Sequence, residues 1–123
     1  MQPGKPVVFG AVRGKFFFGL PGNPGSTMAT FEIFARAAVE LLAGSADPSL
    51  PLTRARLTRE FKQKSGLTRF LPGRLSADGS TVEPESHHGS GDIPALARSN
   101  CYLVTDPDRE FWAEGEDIRV LMK

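Results

Sequence analysis

The sequence predicts an α+β fold, in which the C-terminal end of an α/β domain is followed by a small β-barrel-like domain. Three observations predict it. Two short apolar strands lead through a proline- and glycine-rich loop into a helix within residues 1–44. Residues 45–52 are rich in proline and small side chains, which is typical of a linker. From residue 53 onward, short strands recur at intervals of about 8–12 residues. We therefore predict two units, 1–46 and 47–123.

The first unit is predicted to contain strands over 6–11 and 15–20 and a helix that ends near Gly44. Asn23 is the predicted N-cap, and Pro24 takes the first helical position, which proline favours. Two strands and one helix cannot cover both faces of a sheet, so this unit is interpreted as the end of a larger domain. An apolar stripe at helical spacing is predicted to be a core face that packs poorly in this chain alone: Met28, Phe31, Phe34, Ala35, Ala38, Leu41 and Leu42.

The second unit is predicted to be mostly β structure. Asp78-Gly79 is a strong hairpin signal, and a short helix over 92–98 is predicted with Asp92 as its cap. The strands are predicted over 54–58, 68–71, 74–76, 81–83, 101–105 and 117–121. This spacing is typical of a small barrel or sandwich.

Composition excludes several function classes. The chain has 123 residues, with 15 basic and 14 acidic side chains and a formal net charge of +1. Because general nucleic-acid binders show a basic excess, no nucleic-acid partner is expected. The single cysteine, Cys101, excludes an internal disulfide framework and fits a reducing cytoplasm. No apolar run approaches roughly 18 residues and no signal peptide is visible, so no membrane association is expected.

Two loops are candidates for binding an anion. The loop with Gly22, Asn23, Pro24 and the hydroxyl of Ser26 precedes a helix, where unpaired N–H groups and the helix dipole favour negative charge. The alternative is an ordinary strand-to-helix turn. Residues 89–92 also combine small residues, the hydroxyl of Ser90 and a helix start. The alternative interpretation of this segment is a loop capped by Asp92.

Two cations are candidates for the same ligand. Lys5 lies between prolines in a stiff backbone, and Arg69 shares a strand face with Leu71. The alternative for each is a solvated surface charge. His87, His88 and Cys101 lack metal-ligand spacing, so no zinc site is expected. No nucleophile–histidine pair or paired carboxylates can be placed together, so no catalytic residue is assigned.

The motifs resemble those of one family. Pro3–Pro6 reads PGKP and Gly19–Ser26 reads GLPGNPGS, and the pair is similar to the PGKP and GLPGNPxS motifs of the molybdopterin molybdenumtransferase (MoeA) family, which includes the gephyrin E domain. The similarity continues through the Asp78-Gly79 hairpin, 87–90, 99–104 and the Gly115-Glu116 turn. It covers nearly the whole chain.

The resemblance implies a role in molybdenum cofactor biosynthesis, in which family members insert molybdate into adenylylated molybdopterin and release AMP. Molybdate would then lie near Lys5, Pro6, Ser26 and Ser90, while Gly22, Asn23 and Pro24 shape the loop. The first unit would be the end of the molybdopterin-binding α/β domain. The chemistry would be electrostatic positioning rather than covalent catalysis.

Three positions depart from the family pattern. Gln2 stands where several members carry lysine, and Gly25 stands where valine is common. The family's arginine aligns best with Leu67, and Arg69 lies two residues further along the chain. Arg69 is retained as a candidate for this role.

The resemblance also implies partners and a cofactor. Full-length members are homodimers that use Mg²⁺, whose ligands would lie outside this chain, so the fragment is expected to be inactive alone. Two alternatives remain: a non-catalytic interaction module of the gephyrin type, and an unrelated phosphate- or nucleotide-binding fragment. The interaction module predicts an exposed apolar groove on the β domain, and the phosphate-binding fragment predicts no preference for molybdate.

Overall fold

A computed structural model describes residues 7–89 and 91–123. Its elements, in chain order, are β1 (Val8–Val12), β2 (Lys15–Gly19), α1 (Pro24–Thr30), a π-helical segment (Phe31–Ala35), α2 (Arg36–Leu42), β3 (Leu52–Leu57), β4 (Phe61–Lys62), β5 (Phe70–Leu75), β6 (Thr81–Pro84), α3 (Ile93–Arg98), β7 (Cys101–Val104), β8 (Phe111–Trp112) and β9 (Asp117–Met122). Residues 45–51 belong to no helix or strand. The division at residues 46 and 47 stays a prediction.

Strands β3, β6, β5, β7 and β9 close into a barrel in that order. The barrel closes because β3 pairs on both of its edges, antiparallel with β9 and parallel with β6. Alternate residues point inward, as the period of a strand requires. The buried core cluster contains Ala55, Leu57, Val82, Cys101, Leu103, Trp112, Ile118 and Val120. The predicted small barrel is confirmed.

The sequence prediction of two strands over 68–71 and 74–76 is wrong, because β5 runs through Pro72 and Gly73 without a break. Pro72 stands opposite Tyr102 in the β5–β7 ladder, and its carbonyl accepts a hydrogen bond from Glu85 N at 3.0 Å. A proline is tolerated in a strand where its missing N–H is not required. Pro72 and Gly73 therefore lie within the strand and do not end it.

One strand pair was not predicted. β4 pairs with β8, and the rings of Phe61 and Trp112 stack with centroids 4.9 Å apart. Arg109 lies 5.2 Å from the Trp112 ring centroid, a cation–π contact. A two-residue strand is too short to show a periodicity in the sequence. Its pairing with a partner about fifty residues away was therefore not predictable from the local pattern.

Residues 7–44, which we call the arm, contain the β1–β2 hairpin and one continuous helical rod. The rod is not the regular helix that the sequence predicts: at its centre Arg36 N donates to Phe31 O, five residues back. Such π-helical turns are rare and occur often at functional sites. The predicted cap of α3 is confirmed, since Asp92 accepts from Ala95 N.

The helical rod meets the outside of the barrel through its small residues. Ala29 is fully buried against Tyr102, Val104 and Leu121, and Ile33 packs beside it. The predicted apolar stripe is only partly covered: Met28 is 42% and Phe31 41% exposed, whereas Ala35 is buried. Interpreting the whole stripe as a core face within this chain is therefore wrong, and its large side chains pack poorly, as expected. None of the helices in residues 7–89 and 91–123 has the length and apolarity that a membrane crossing requires.

Replacing Gly73 by alanine should destabilise the barrel by about 1–3 kcal/mol, as overpacking of a core does. A Cβ there would overlap Leu103 Cδ1, and it would lie 3.2 Å from the carbonyl oxygen of Glu83, which belongs to the ladder and cannot move alone. Urea unfolding of the variant measures the effect. Gly91→Ala is the control, because a Cβ there meets nothing within 4 Å. Equal stability of both variants would contradict the prediction.

The β5–β6 hairpin supplies a prediction on pH. Hydrogen bonds from Ser76 Oγ, Ser80 N and Ser80 Oγ lower the pKa of Asp78 from 3.8 to about 2. A carboxylate with a depressed folded-state pKa contributes stability that is present above pH 3.8 and is lost as pH falls through about 2. Asp78→Asn should therefore flatten the decline in unfolding free energy between those values. Ser76→Ala removes one of these hydrogen bonds and should reduce the same decline in unfolding free energy in part. An unchanged pH profile in Asp78→Asn would contradict the assignment of this pH dependence to Asp78.

Candidate functional site

The loop between β2 and α1 leaves a helix start without a side-chain cap. Asn23 has the extended backbone of an N-cap (φ −72°, ψ 129°), but its side chain makes no capping hydrogen bond, and Pro24 follows it. The first turn of α1 holds no acidic residue. The predicted positions of Asn23 and Pro24 are thus confirmed, while the amides of Gly25 and Ser26 lack a capping side chain. Positive potential at such a start favours an anion.

Thr27, which is not among the sequence-predicted site residues, holds this loop in place. Its hydroxyl donates to the carbonyl of Pro21, and the carbonyl oxygen of Asn23 lies 3.0 Å away. Thr30 Oγ1 donates to Ser26 O at 2.6 Å one turn later. A threonine hydroxyl four residues after a predicted cap is a signal that could have been read from the sequence.

Ser26 lies on the buried side of α1. It is only 9% exposed and shares the helix face of Gly25, Ala29 and Thr30. This face turns toward the barrel, and α1 is in contact with α3. The loop that precedes α3 carries Ser90, which lies outside the described residues, as do Lys5 and Pro6. Their predicted roles stay predictions.

The start of α3 differs from that of α1 because a carboxylate already occupies it. Asp92 Oδ1 accepts from Ala95 N at 3.0 Å, and Oδ2 accepts from His88 N at 3.1 Å. These two backbone hydrogen bonds lower the pKa of Asp92, which therefore stays ionised at neutral pH. An external anion at this helix start would meet a negative charge. Of the two predicted anion-binding loops, the one before α1 has the more favourable electrostatics.

Arg69 is fixed by its backbone at the end of the β5–β7 ladder. Its N–H donates to Thr105 Oγ1 at 3.0 Å, and its carbonyl accepts from Thr105 N at 3.0 Å. Its Nε donates to the carbonyl of Lys64 at 3.4 Å. Its proposed contact with an oxyanion stays a prediction.

Gly22 leaves open space beside the loop. A Cβ added there would meet nothing within 4 Å, and its φ is outside the left-handed region. The backbone therefore does not require glycine for its conformation, and the missing side chain instead lets a ligand approach the main chain. This geometry is compatible with the predicted loop-shaping role of Gly22, which stays a prediction.

The described residues do not fit a resident metal. Across 7–89 and 91–123, no group of three or more His, Cys, Asp or Glu side chains is arranged to hold an ion. Burial raises the pKa of the Cys101 thiol to about 11, so it is neither thiolate ligand nor nucleophile at neutral pH.

These features define a class of protein: a small closed-barrel domain with a hairpin–loop–helix arm packed on its outer wall. The chain belongs to the family described as MoeA C-terminal region (domain IV), whose model matches residues 54–123. The arm lies outside that match.

Relatives of known name cover the arm as well. A molybdopterin molybdenumtransferase of Staphylococcus aureus is 29% identical over 99% of this chain, and one of Staphylococcus epidermidis is 27% identical over 98%. The chain spans about 30% of the length of the first relative and 29% of the second.

Solved structures show the same arrangement of barrel and arm. A molybdopterin biosynthesis MoeA protein of Pyrococcus horikoshii matches 98% of this chain with a TM-score of 0.79 at 29% identity, using 29% of its own chain. A molybdenum cofactor biosynthesis protein of Pyrococcus furiosus matches 99% with a TM-score of 0.74 at 27% identity, using 42% of its chain.

Replacing Thr27 by valine should loosen the loop before α1. The change keeps the shape of the side chain but removes the hydroxyl that holds Pro21, and the loss of one such hydrogen bond costs about 1 kcal/mol. Urea unfolding and amide exchange at residues 22–28 measure this. Thr27→Ser retains the hydroxyl and is the matched control. Equal exchange in the two variants would show that the clamp is not formed.

Proposed function

We propose that this chain is part of a molybdopterin molybdenumtransferase and takes part in inserting molybdate into adenylylated molybdopterin, with release of AMP. The observation that carries the proposal is the uncapped start of α1, reached through a loop with the GLPGNPxS motif, in a chain of the MoeA C-terminal family. Relatives that match nearly the whole chain bear the transferase name.

In this proposal the oxyanion binds at the start of α1. The amides of Gly25 and Ser26 and the Ser26 hydroxyl donate hydrogen bonds, and the ammonium of Lys5 supplies charge. Pro6, Ser90 and Arg69 complete the surroundings. The chain's contribution is to position molybdate and stabilise its charge, which requires preorganised donors and no covalent intermediate.

The arm supports the further proposal that residues 7–44 complete a larger α/β domain. Phe9 and Phe18 pair on one face of the hairpin, and Phe17 lies opposite Gly10 on the other. Phe9 is 62% and Phe17 46% exposed. Strands that are apolar on both faces are typical of a sheet covered on both sides. The complete domain, a homodimer in the cytoplasm and Mg²⁺ bound elsewhere would then be needed for activity.

The interaction-module alternative has less support. Among the described residues, eleven of the sixteen exposed large apolar side chains lie on the arm, and five lie in the barrel unit: Leu52, Leu67, Ile93, Phe111 and Met122. The exposed aromatic side chains are concentrated on the arm instead. The other alternative, a phosphate-binding fragment, differs from the transferase in that it predicts no preference for molybdate over phosphate.

The first test is calorimetric titration of molybdate into the 123-residue chain, with sulfate and phosphate as comparison ions. We expect binding that prefers molybdate and weakens about tenfold in Ser26→Ala and Lys5→Ala, the cost of one charge-assisted contact. Ser49→Ala and Lys62→Ala are matched controls at exposed positions. Equal affinity for phosphate and molybdate would support the generic alternative.

A second test measures the reaction itself. The matching segment of the Staphylococcus aureus relative is replaced by this chain, and the chimera is assayed for AMP release from adenylylated molybdopterin with molybdate. We expect activity that falls at least tenfold in the Ser26→Ala chimera. A folded chimera without activity would overturn the proposed function.

A further inference from the structure

Two neighbouring residues at the start of α1 carry hydrogen-bond donors that the described part of the chain leaves open. Among residues 7–89 and 91–123, neither Gly25 N nor Ser26 N has an acceptor, and the Ser26 hydroxyl has no partner. Gly25 is buried, and Ser26 is only 9% exposed. Because buried donors in native proteins usually have a partner, these open donors indicate a place for an acceptor from outside the described residues.

Two backbone carbonyls of the loop before α1 are both held by Thr27. The Thr27 hydroxyl donates to the carbonyl oxygen of Pro21, six residues back in the chain. Thr27 N donates to the carbonyl oxygen of Asn23 at 2.8 Å, and Thr27 Oγ1 lies 3.0 Å from that same oxygen. The carbonyls of Pro21 and Asn23 are therefore directed to Thr27 and not to the amides of the two residues before it.

The direction of the Pro21 carbonyl affects what the helix start can bind. The first N–H groups of a helix donate to whichever acceptor reaches them, so a loop carbonyl that turned toward them would compete with a ligand. A carbonyl oxygen also carries partial negative charge, which opposes an anion nearby. The Thr27 hydroxyl occupies the Pro21 oxygen and offsets part of its negative charge, so both effects are reduced.

We propose that Thr27 is a positioning residue of the oxyanion site: its hydroxyl holds the Pro21 carbonyl so that the donors of Gly25 and Ser26 remain open to a tetrahedral oxyanion. This inference rests on the proposed function for the location of the site. Thr27 itself touches no ligand and acts through the loop. Its effect concerns the donors and not the central atom of the anion, so it applies to phosphate as well as to molybdate.

The test is calorimetric titration of molybdate and of inorganic phosphate into the 123-residue chain and its Thr27→Val and Thr27→Ser variants. Valine keeps the shape of the side chain and removes the hydroxyl. We expect Thr27→Val to weaken anion binding about three- to tenfold, the range for one neutral hydrogen bond. Thr27→Ser should restore the affinity to within about twofold of the unsubstituted chain, because it keeps the hydroxyl. Amide shifts of Gly25 and Ser26 at saturation identify the place where the anion binds.

Thr30→Val is the matched control for a general loss of stability. Thr30 is fully buried, and its hydroxyl donates to Ser26 O at 2.6 Å. The variant therefore removes a hydroxyl–carbonyl hydrogen bond of the same kind, but from within the helix and not from the loop before it. We expect Thr30→Val to lower the urea midpoint at least as much as Thr27→Val does, while the affinity for the anion is unchanged.

Three results would overturn the role of Thr27: unchanged affinity in Thr27→Val, an equal loss of affinity in Thr30→Val, or no anion bound at Gly25 and Ser26 in the unsubstituted chain. Equal affinity for phosphate and molybdate, with a loss for both in Thr27→Val, would support positioning by Thr27 and count against the preference for molybdate. The proposed function is judged separately by AMP release from the chimera, so the two failures are distinguishable.

Discussion

The arrangement of the molecule depends on one apolar contact, the packing of Ala29 and Ile33 on the outer barrel residues Tyr102, Val104 and Leu121. This contact fixes the direction of α1 and thereby the position of the loop that begins it. The Thr27 hydroxyl then holds that loop to the helix. A site at the start of α1 is therefore positioned by packing on the barrel and not by the loop itself.

The two loops that look alike in sequence have opposite electrostatics. Both combine small residues with a serine and precede a helix. The helix after Asn23 has no side-chain cap, whereas the side chain of Asp92 accepts a hydrogen bond from the first turn of α3. Because a carboxylate that caps a helix competes with an external anion for the same amides, the start of α1 is the more favourable of the two for an oxyanion. The local side chain at the cap decides between them.

Local signals were readable from the sequence, and long-range ones were not. The Asp78-Gly79 turn, the cap at Asp92 and the strand over 117–121 depend on neighbouring residues, and all of them appear as predicted. The continuous β5 strand depends on its pairing with β7, which overrides the turn preference of Pro72 and Gly73. The π-helical turn and the β4–β8 pair produce no hydrophobic periodicity that could be recognised in the sequence. At the site, the roles of Asn23 and Pro24 in starting the helix were predictable, and the Thr27 hydroxyl was a readable local signal, whereas the burial of Ser26 depends on tertiary contacts.

The closed ring of strands has a consequence for how the chain folds. The first and last strands of the ring are neighbours, since Leu52 stands opposite Leu121 and Met122 N donates to Pro51 O at 3.0 Å. Pairing residues so far apart in the chain costs chain entropy, and folds rich in such non-local contacts fold more slowly than those rich in local ones. Until β9 docks, both β3 and β7 have an unpaired edge. The barrel wall on which the arm rests includes Leu121 of β9, so that wall is complete only when β9 has paired with β3 and β7.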